Sequence, residues 1–177
     1  MIPARGNRLS LADKLLKNPG ALCGMVRRIA VEAGDITLKY FEEGVAGPSE
    51  EKSDGSPVTM ADREAEAFIL LSLGEITPAI PVIGEEAAAQ KKLPELNGAE
   101  YFWLVDPLDG TKEFITGSGD YTVNIALIHK GAPVLGVIYA PAKGTLYAGY
   151  GPDTAIRWNA DNENEKEIRV RNAPSAG

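Results

Sequence analysis

The sequence predicts an α+β domain in which two long helices pack on a mostly antiparallel β-sheet. Apolar residues recur at three and four over 21–44 and again over 65–76, which is the helical period. From Tyr101 to Val170 the pattern changes to short β-rich runs. The breaks between those later runs are a few residues long, enough for hairpins and too short for crossover helices.

In chain order, residues 1–19 read as an N-terminal extension with one short amphipathic piece, Leu9 to Lys17, stopped by Asn18, Pro19 and Gly20. Leu22, Val26, Ile29, Ala33, Ile36 and Tyr40 mark the first long helix, Ala21 to Gly44, with Gly44 placed as a C-terminal cap. Cys23 lies in that helix as a small core residue. A polar loop, Gly47 to Pro57, carries Lys52 and leads into SPVTMAD, where Thr59 and Asp62 have capping-box spacing. Ala65, Phe68, Ile69, Leu73 and Ile76 continue a second helix, and Leu70 and Leu71 make it apolar on more than one side. That helix is expected between other layers.

Pro78 to Ile83 is a short strand running into Gly84-Glu85-Glu86, and Ala87 to Gly98 reads as a surface connection. A strand beginning at Tyr101 follows. Beyond the glycine-rich bend at 117–119, strands are expected at Tyr121–Ile128, Pro133–Tyr139, Thr145–Tyr150, Ala155–Trp158 and Glu167–Val170. Residues 20–172 thus form one α+β domain, and 173–177 a loose terminus.

A chain of 177 residues with 44% hydrophobic composition can build one good core. Its net charge of −7 argues against nucleic acid or an anionic membrane surface as a general partner. The single cysteine rules out an internal disulfide framework and favours a reducing, cytoplasmic setting. No window reaches the roughly 20 apolar residues of a membrane span, and the N-terminus lacks a signal-peptide core.

The informative stretch is WLVDPLDGTKEFI, residues 103–115. An apolar run ends in two carboxylates, Asp106 and Asp109, and charge beside apolar surface is costly unless a cation or donors meet it. If the strand ends at Glu85 and Asp106 are neighbours in one sheet, Glu85, Asp106 and Asp109 converge, with Glu86 close by. Such a cluster either holds a proton, as an acid/base dyad does, or binds hard cations. With His129 the only histidine and Cys23 the only thiol, a zinc set is missing and an all-oxygen site suits Mg²⁺ or Mn²⁺. The Leu108 carbonyl inside the turn is a further candidate oxygen ligand. The Gly110 and Thr111 amides, at the start of a helical turn, are candidates for phosphate oxygens, and Thr111 paired with Asp62 could orient or deprotonate a water. Taken alone, Asp62 reads first as a helix N-terminal carboxylate facing the macrodipole, and a residue can do both. DPLDGT also contains the residues of a simple tight turn.

PVTMAD (57–62), VIGEE (82–86) and WLVDPLDGT (103–111), in that order, resemble the lithium-sensitive, Mg²⁺-dependent phosphatase superfamily that includes inositol monophosphatase. The likeness runs from about residue 20 to the C-terminus. DPLDGTKEFI followed by DYTVNIALI resembles the CysQ branch, the 3'(2'),5'-bisphosphate nucleotidases, where inositol monophosphatases usually carry Asn at the position of Glu113. The resemblance implies the N-terminal half of an αβαβα sandwich. It implies Glu85, Asp106, the Leu108 carbonyl and Asp109 as metal ligands, Glu85, Asp62 and Thr111 as catalytic, and Gly110 and Thr111 as holding phosphate. Lys52 stands where these proteins have a loop lysine near the site, and a solvated loop charge is an equal reading of it. Two or three Mg²⁺ ions, replaceable by Mn²⁺, and inhibition by Li⁺ are also implied. The implied reaction converts adenosine 3',5'-bisphosphate to AMP and phosphate. An inositol or sugar phosphate phosphatase, or an inactive fragment that binds Mg²⁺ and phosphate, are the alternatives. The family has a second α/β domain with a further aspartate ligand in a Trp-Asp motif, and the chain stops before it; His129 and Trp158 do not substitute. A missing domain would leave an apolar face open and encourage self-association.

Overall fold

The computed structural model describes residues 10–44, 50–51, 57–96 and 98–172. Expectations for residues 1–9, the central part of the 47–57 loop including Lys52, and 173–177 lie outside the described residues.

Helix α1 (Leu11–Leu16) is held by a Ser10–Asp13 capping box. Its Leu15 is buried in the main core, so residues 11–19 pack on the domain and do not stand apart from it. Helix α2 (Pro19–Glu42) begins two residues before the expected start. Asn18 and Pro19 are its beginning as well as a stop for α1: the Asn18 side chain accepts from the Ala21 N–H at 3.1 Å, and Pro at the first helical position lacks only an N–H that would have no helical partner. Two short strands, β1 (Glu50–Glu51) and β2 (Pro57–Val58), pair before helix α3 (Met60–Ile76). Strand β3 (Val82–Gly84) leads directly into α4 (Glu85–Ala89), so Gly-Glu-Glu is a strand-to-helix junction and part of the expected surface connection is helical.

Strand β4 (Tyr101–Asp109), helix α5 (Thr111–Thr116), β5 (Thr122–His129), β6 (Ala132–Ala140), β7 (Thr145–Tyr150), β8 (Thr154–Asn159) and β9 (Asn164–Glu167) complete the chain. The main sheet has seven strands in the order β3-β4-β5-β6-β7-β8-β9. Only the β3–β4 pairing is parallel; the other neighbours are antiparallel. The last strand lies at 164–167, not 167–170. A turn with Glu163 in the left-handed region sends the chain back at that point, and the fully exposed Asn-Glu-Lys-Glu run has no apolar alternation to mark it as a strand.

Helices α2 and α3 lie on one face of the sheet. Leu22, Val26, Ala30 and Ala33 of α2 and Ala65, Ile69 and Leu73 of α3 bury against Trp103, Val105, Val123, Ile125, Val137 and Leu146. Close approach has a local cause at Gly34, where an added Cβ would stand 2.4 Å from the Tyr139 ring. The strands alternate sharply: Trp103, Val105, Val137, Tyr139 and Leu146 face the helices, while Leu104, Ile138 and Tyr147 are 40%, 47% and 42% exposed on the opposite face. That opposite face is open and apolar. Helix α3 likewise shows solvent on its outer side, with Leu71 68% exposed, so this chain does not cover it as a layer on both sides would. A second cluster, Ala61, Leu108, Phe114 and Tyr121, anchors α5; the Phe114 and Tyr121 rings meet edge to face at 4.9 Å.

Trp103 is fully buried, and its indole N–H donates to the Thr77 hydroxyl at 2.9 Å. Thr77→Val keeps the shape and removes that acceptor, and leaving a buried donor unmet costs about 1–3 kcal/mol. Urea unfolding of the variant should show a lower midpoint with an unchanged m value.

Candidate functional site

The site begins with backbone pairing. In the parallel ladder Gly84 sits opposite Val105, so the next residues, Glu85 just past the end of β3 and Asp106 within β4, lie side by side. The convergence expected from the sequence is present, and the two carboxyl groups are close enough to share a hydrogen bond. Asp109 joins them through a bulge. Asp106 pairs with Asn124 but Asp109 with Thr122, which places one extra residue on β4. In a regular strand, residues three apart point to opposite faces. The extra residue brings Asp106 and Asp109 to one cleft. Pro107 and Leu108 are buried within the bulge, and the Leu108 N–H donates back to Asp106 Oδ1 at 3.2 Å.

Glu85, Asp106, Asp109 and Asn124 line a cleft of about 550 Å³ whose apolar wall includes Leu104 and Ile138. Burial above all, then the hydrogen bond with Glu85 and the charges of Glu85 and Asp109, push the Asp106 carboxyl up to about 8, against the Leu108 amide, which lowers it. Asn124, missed in the sequence, donates from Nδ2 to Asp109 Oδ2 at 3.3 Å, while its Oδ1 is buried with no hydrogen-bond partner. Only the pairing of β5 with β4 brings it there.

Asp62 and Thr111 come together beside this cleft without lining it. Asp62 is 1% exposed. Its Oδ2 accepts from the Thr59 N–H at 2.8 Å and the Thr59 hydroxyl at 2.5 Å, so the capping function is real. The Thr111 hydroxyl stands 3.4 Å from Asp62 Oδ1 and 3.2 Å from the Leu108 carbonyl, linking the pair to the bulge. Gly110 precedes α5 with φ +98°, and an added Cβ would fall 2.7 Å from the Asp120 carbonyl, so only glycine suits this turn.

The Glu85 side chain lines the cleft, whereas Glu86 is buried. The Glu86 N–H donates to Glu66 Oε2 at 2.7 Å and the Ala87 N–H to Glu66 Oε1 at 2.9 Å. Glu66 was not singled out from the sequence. A charged residue one turn after Asp62, beside Ala65 and Ile69 of the buried face, was the signal available. His129 stacks on Tyr101 at the far end of β5, with ring centroids 4.1 Å apart, and has no part in the site.

An all-oxygen donor set fits a hard divalent cation, and a cation would favour the charged form of Asp106 that burial first, and then the neighbouring carboxyl groups, disfavour. Among the described residues, no three acidic, imidazole or thiol groups are already drawn into a cage. Without a cation the carboxylates have other partners: Asp62 its cap and Asp109 the Asn124 amide.

Fold and site define a class, an α+β domain with a strand-end acidic pocket suited to a hard cation. The model of the inositol monophosphatase family matches residues 23–176, and the chain belongs to that family. It is 43% identical over 149 residues to the 3'(2'),5'-bisphosphate nucleotidase CysQ of Salmonella typhimurium, covering 84% of this chain and 58% of that protein. It is 39% identical over 148 residues to CysQ of Escherichia coli K12, with the same coverage of 84% and 58%. Among solved structures, SuhB of Bartonella henselae superposes with a TM-score of 0.73 at 28% identity, over 86% of this chain and 55% of that one. CysQ of Bacteroides thetaiotaomicron gives 0.63 at 31% identity, over 89% and 60%. The chain therefore spans less than two thirds of the length of these relatives.

The raised Asp106 carboxyl has a stability consequence in the cation-free protein. Its folded value of about 8 lies above the ordinary 3.8, so the folded state holds a proton that the unfolded state releases. That contribution is complete below 3.8 and is lost as pH rises to about 8. In EDTA, Asp106→Asn should flatten the fall in melting temperature between pH 5 and pH 8.

Proposed function

We propose that this chain carries the metal- and phosphate-binding part of a Mg²⁺-dependent phosphomonoesterase that acts on a 3'(2'),5'-bisphosphate nucleotide, converting adenosine 3',5'-bisphosphate to AMP and phosphate. The observation that carries this reading is the adjacency of Glu85, Asp106 and Asp109 at one cleft, which gives hard cations an oxygen-only binding place. The likeness to bisphosphate nucleotidases supports the substrate class.

In this reading Glu85, Asp106, Asp109 and the Leu108 carbonyl hold the cation or cations. Bound Mg²⁺ supplies charge neutralisation at the phosphoryl group and lowers the pKa of an attacking water. The Thr111 hydroxyl and Asp62, 3.4 Å apart, would orient an attacking water, and Asp62 would receive its proton. The Gly110 and Thr111 amides at the start of α5 hold phosphate oxygens. In this reading residues 20–172 form the metal-binding domain, and the ligand set and nucleotide pocket would be completed by a second domain outside residues 1–177. The family resemblance makes Lys52 a further candidate near the site. The single, buried Cys23 fits a reducing, cytoplasmic setting, and among the described residues no helix is long and apolar enough to cross a membrane.

Phosphate release with Mg²⁺ from adenosine 3',5'-bisphosphate, compared with inositol 1-phosphate, tests the assignment. Faster release from the nucleotide is expected, and preference for inositol 1-phosphate moves the protein to the sugar-phosphate reading. Mg²⁺ binding without turnover of either substrate identifies a binding fragment. Asp106→Asn is expected to abolish Mg²⁺ binding in calorimetry. Asp62→Asn is expected to lower kcat by about 10²–10⁴-fold while leaving Mg²⁺ affinity nearly unchanged.

A further inference from the structure

We propose that Glu66 is a positioning residue that fixes the β3–α4 junction so that Glu85 is presented to Asp106; this rests on the reading of Glu85 and Asp106 as cation ligands. Glu66 is 6% exposed, in the middle of a helix whose neighbouring buried positions are Ala65 and Ile69. A buried carboxylate is costly unless hydrogen bonds satisfy it. Here both oxygens are used, each accepting a backbone N–H of the first turn of α4, at 2.7 and 2.9 Å. Charge-assisted bonds of this kind are among the stronger and more directional hydrogen bonds in proteins.

Helix α4 has only five residues and would be marginal alone. An ordinary cap would be a Ser, Asn or Asp at Gly84. That position instead has no side chain, and any Cβ there would lie 2.5 Å from the Glu66 carboxyl carbon. Gly84 is the space that Glu66 occupies. The cap consequently comes from another element, and it ties the junction to α3. Asp62 and Glu66 are one turn apart on that helix, so the same face that carries the Asp62–Thr111 pair also sets where Glu85 begins. Glu66 does not line the cleft and acts through backbone geometry.

Groups that orient a metal's ligands typically contribute about 10–100-fold to metal affinity. The test is Mn²⁺ binding by calorimetry to the 177-residue protein and its Glu66→Ala, Gly84→Ala and doubly substituted variants, with melting temperature and amide exchange at Glu86 and Ala87 followed in each. Glu66→Ala should weaken Mn²⁺ binding about 10–100-fold and speed exchange of those two amides. Gly84→Ala, which pushes the carboxylate aside, should do the same. The double variant should bind no worse than the weaker single one, because both changes break one contact. A purely structural residue would instead lower the melting temperature without non-additive loss of Mn²⁺ affinity. If Glu66→Ala does not fold, Glu66→Gln, which keeps one acceptor and the shape, decides the matter with an expected several-fold loss.

Wild-type Mn²⁺ affinity in a folded Glu66 variant overturns the inference and leaves the phosphatase reading standing. Absence of Mn²⁺ binding in the wild-type protein, or equal binding by Asp106→Asn, overturns the reading of the site itself and the inference with it.

Discussion

The parallel pairing of β3 with β4 is the constraint on which the site depends. It is the one parallel pair in an otherwise antiparallel sheet, and it requires a connection that crosses back, here α4 and the segment after it. Because the two strands run the same way, the C-terminal end of β3 meets β4 just before its bulge. Glu85 and Asp106, 21 positions apart in the chain, thereby meet at one edge of the core. An antiparallel pairing of the same strands would have put the two carboxylates at opposite ends.

That arrangement is electrostatically unfavourable when it stands alone. Burial and two neighbouring carboxylates raise the Asp106 carboxyl, and the bulge that carries Asp109 to the same side adds to the repulsion. Among the described residues, the Leu108 amide on Asp106 and the hydrophobic cluster of Leu108, Phe114 and Tyr121 behind the bulge help to hold it. On the proposed reading of these carboxylates as cation ligands, holding like charges together before the ligand arrives is what a preorganised site would do.

Much of this was legible in the chain. Helical periodicity located α2 and α3, and the short glycine-marked breaks located the antiparallel meander. The PVTMAD, VIGEE and WLVDPLDGT segments contained the site carboxylates and Thr111. Other features were less readable for specific reasons. Pro19 looks like a terminator until Asn18 is seen accepting from Ala21, because the same residues end one helix and begin the next. Strand β9 has no apolar alternation and is fixed only by pairing with β8. Glu66 resembles any helical glutamate. Its partners are backbone amides 20 and 21 residues away, and such donors leave no mark in a sequence.

By itself, the sequence determined the fold class, the family resemblance, the absence of a zinc-type ligand set, and which carboxylates were candidates, since these depend on residue type and local period. The tertiary structure decided their geometry. Strand direction set Glu85 beside Asp106, a single extra residue turned Asp109 to the same side, strand pairing brought Asn124 to it, and the Glu66 carboxylate locked the junction before α4. Each of these is a relation between backbones far apart in the chain, and no local propensity encodes it.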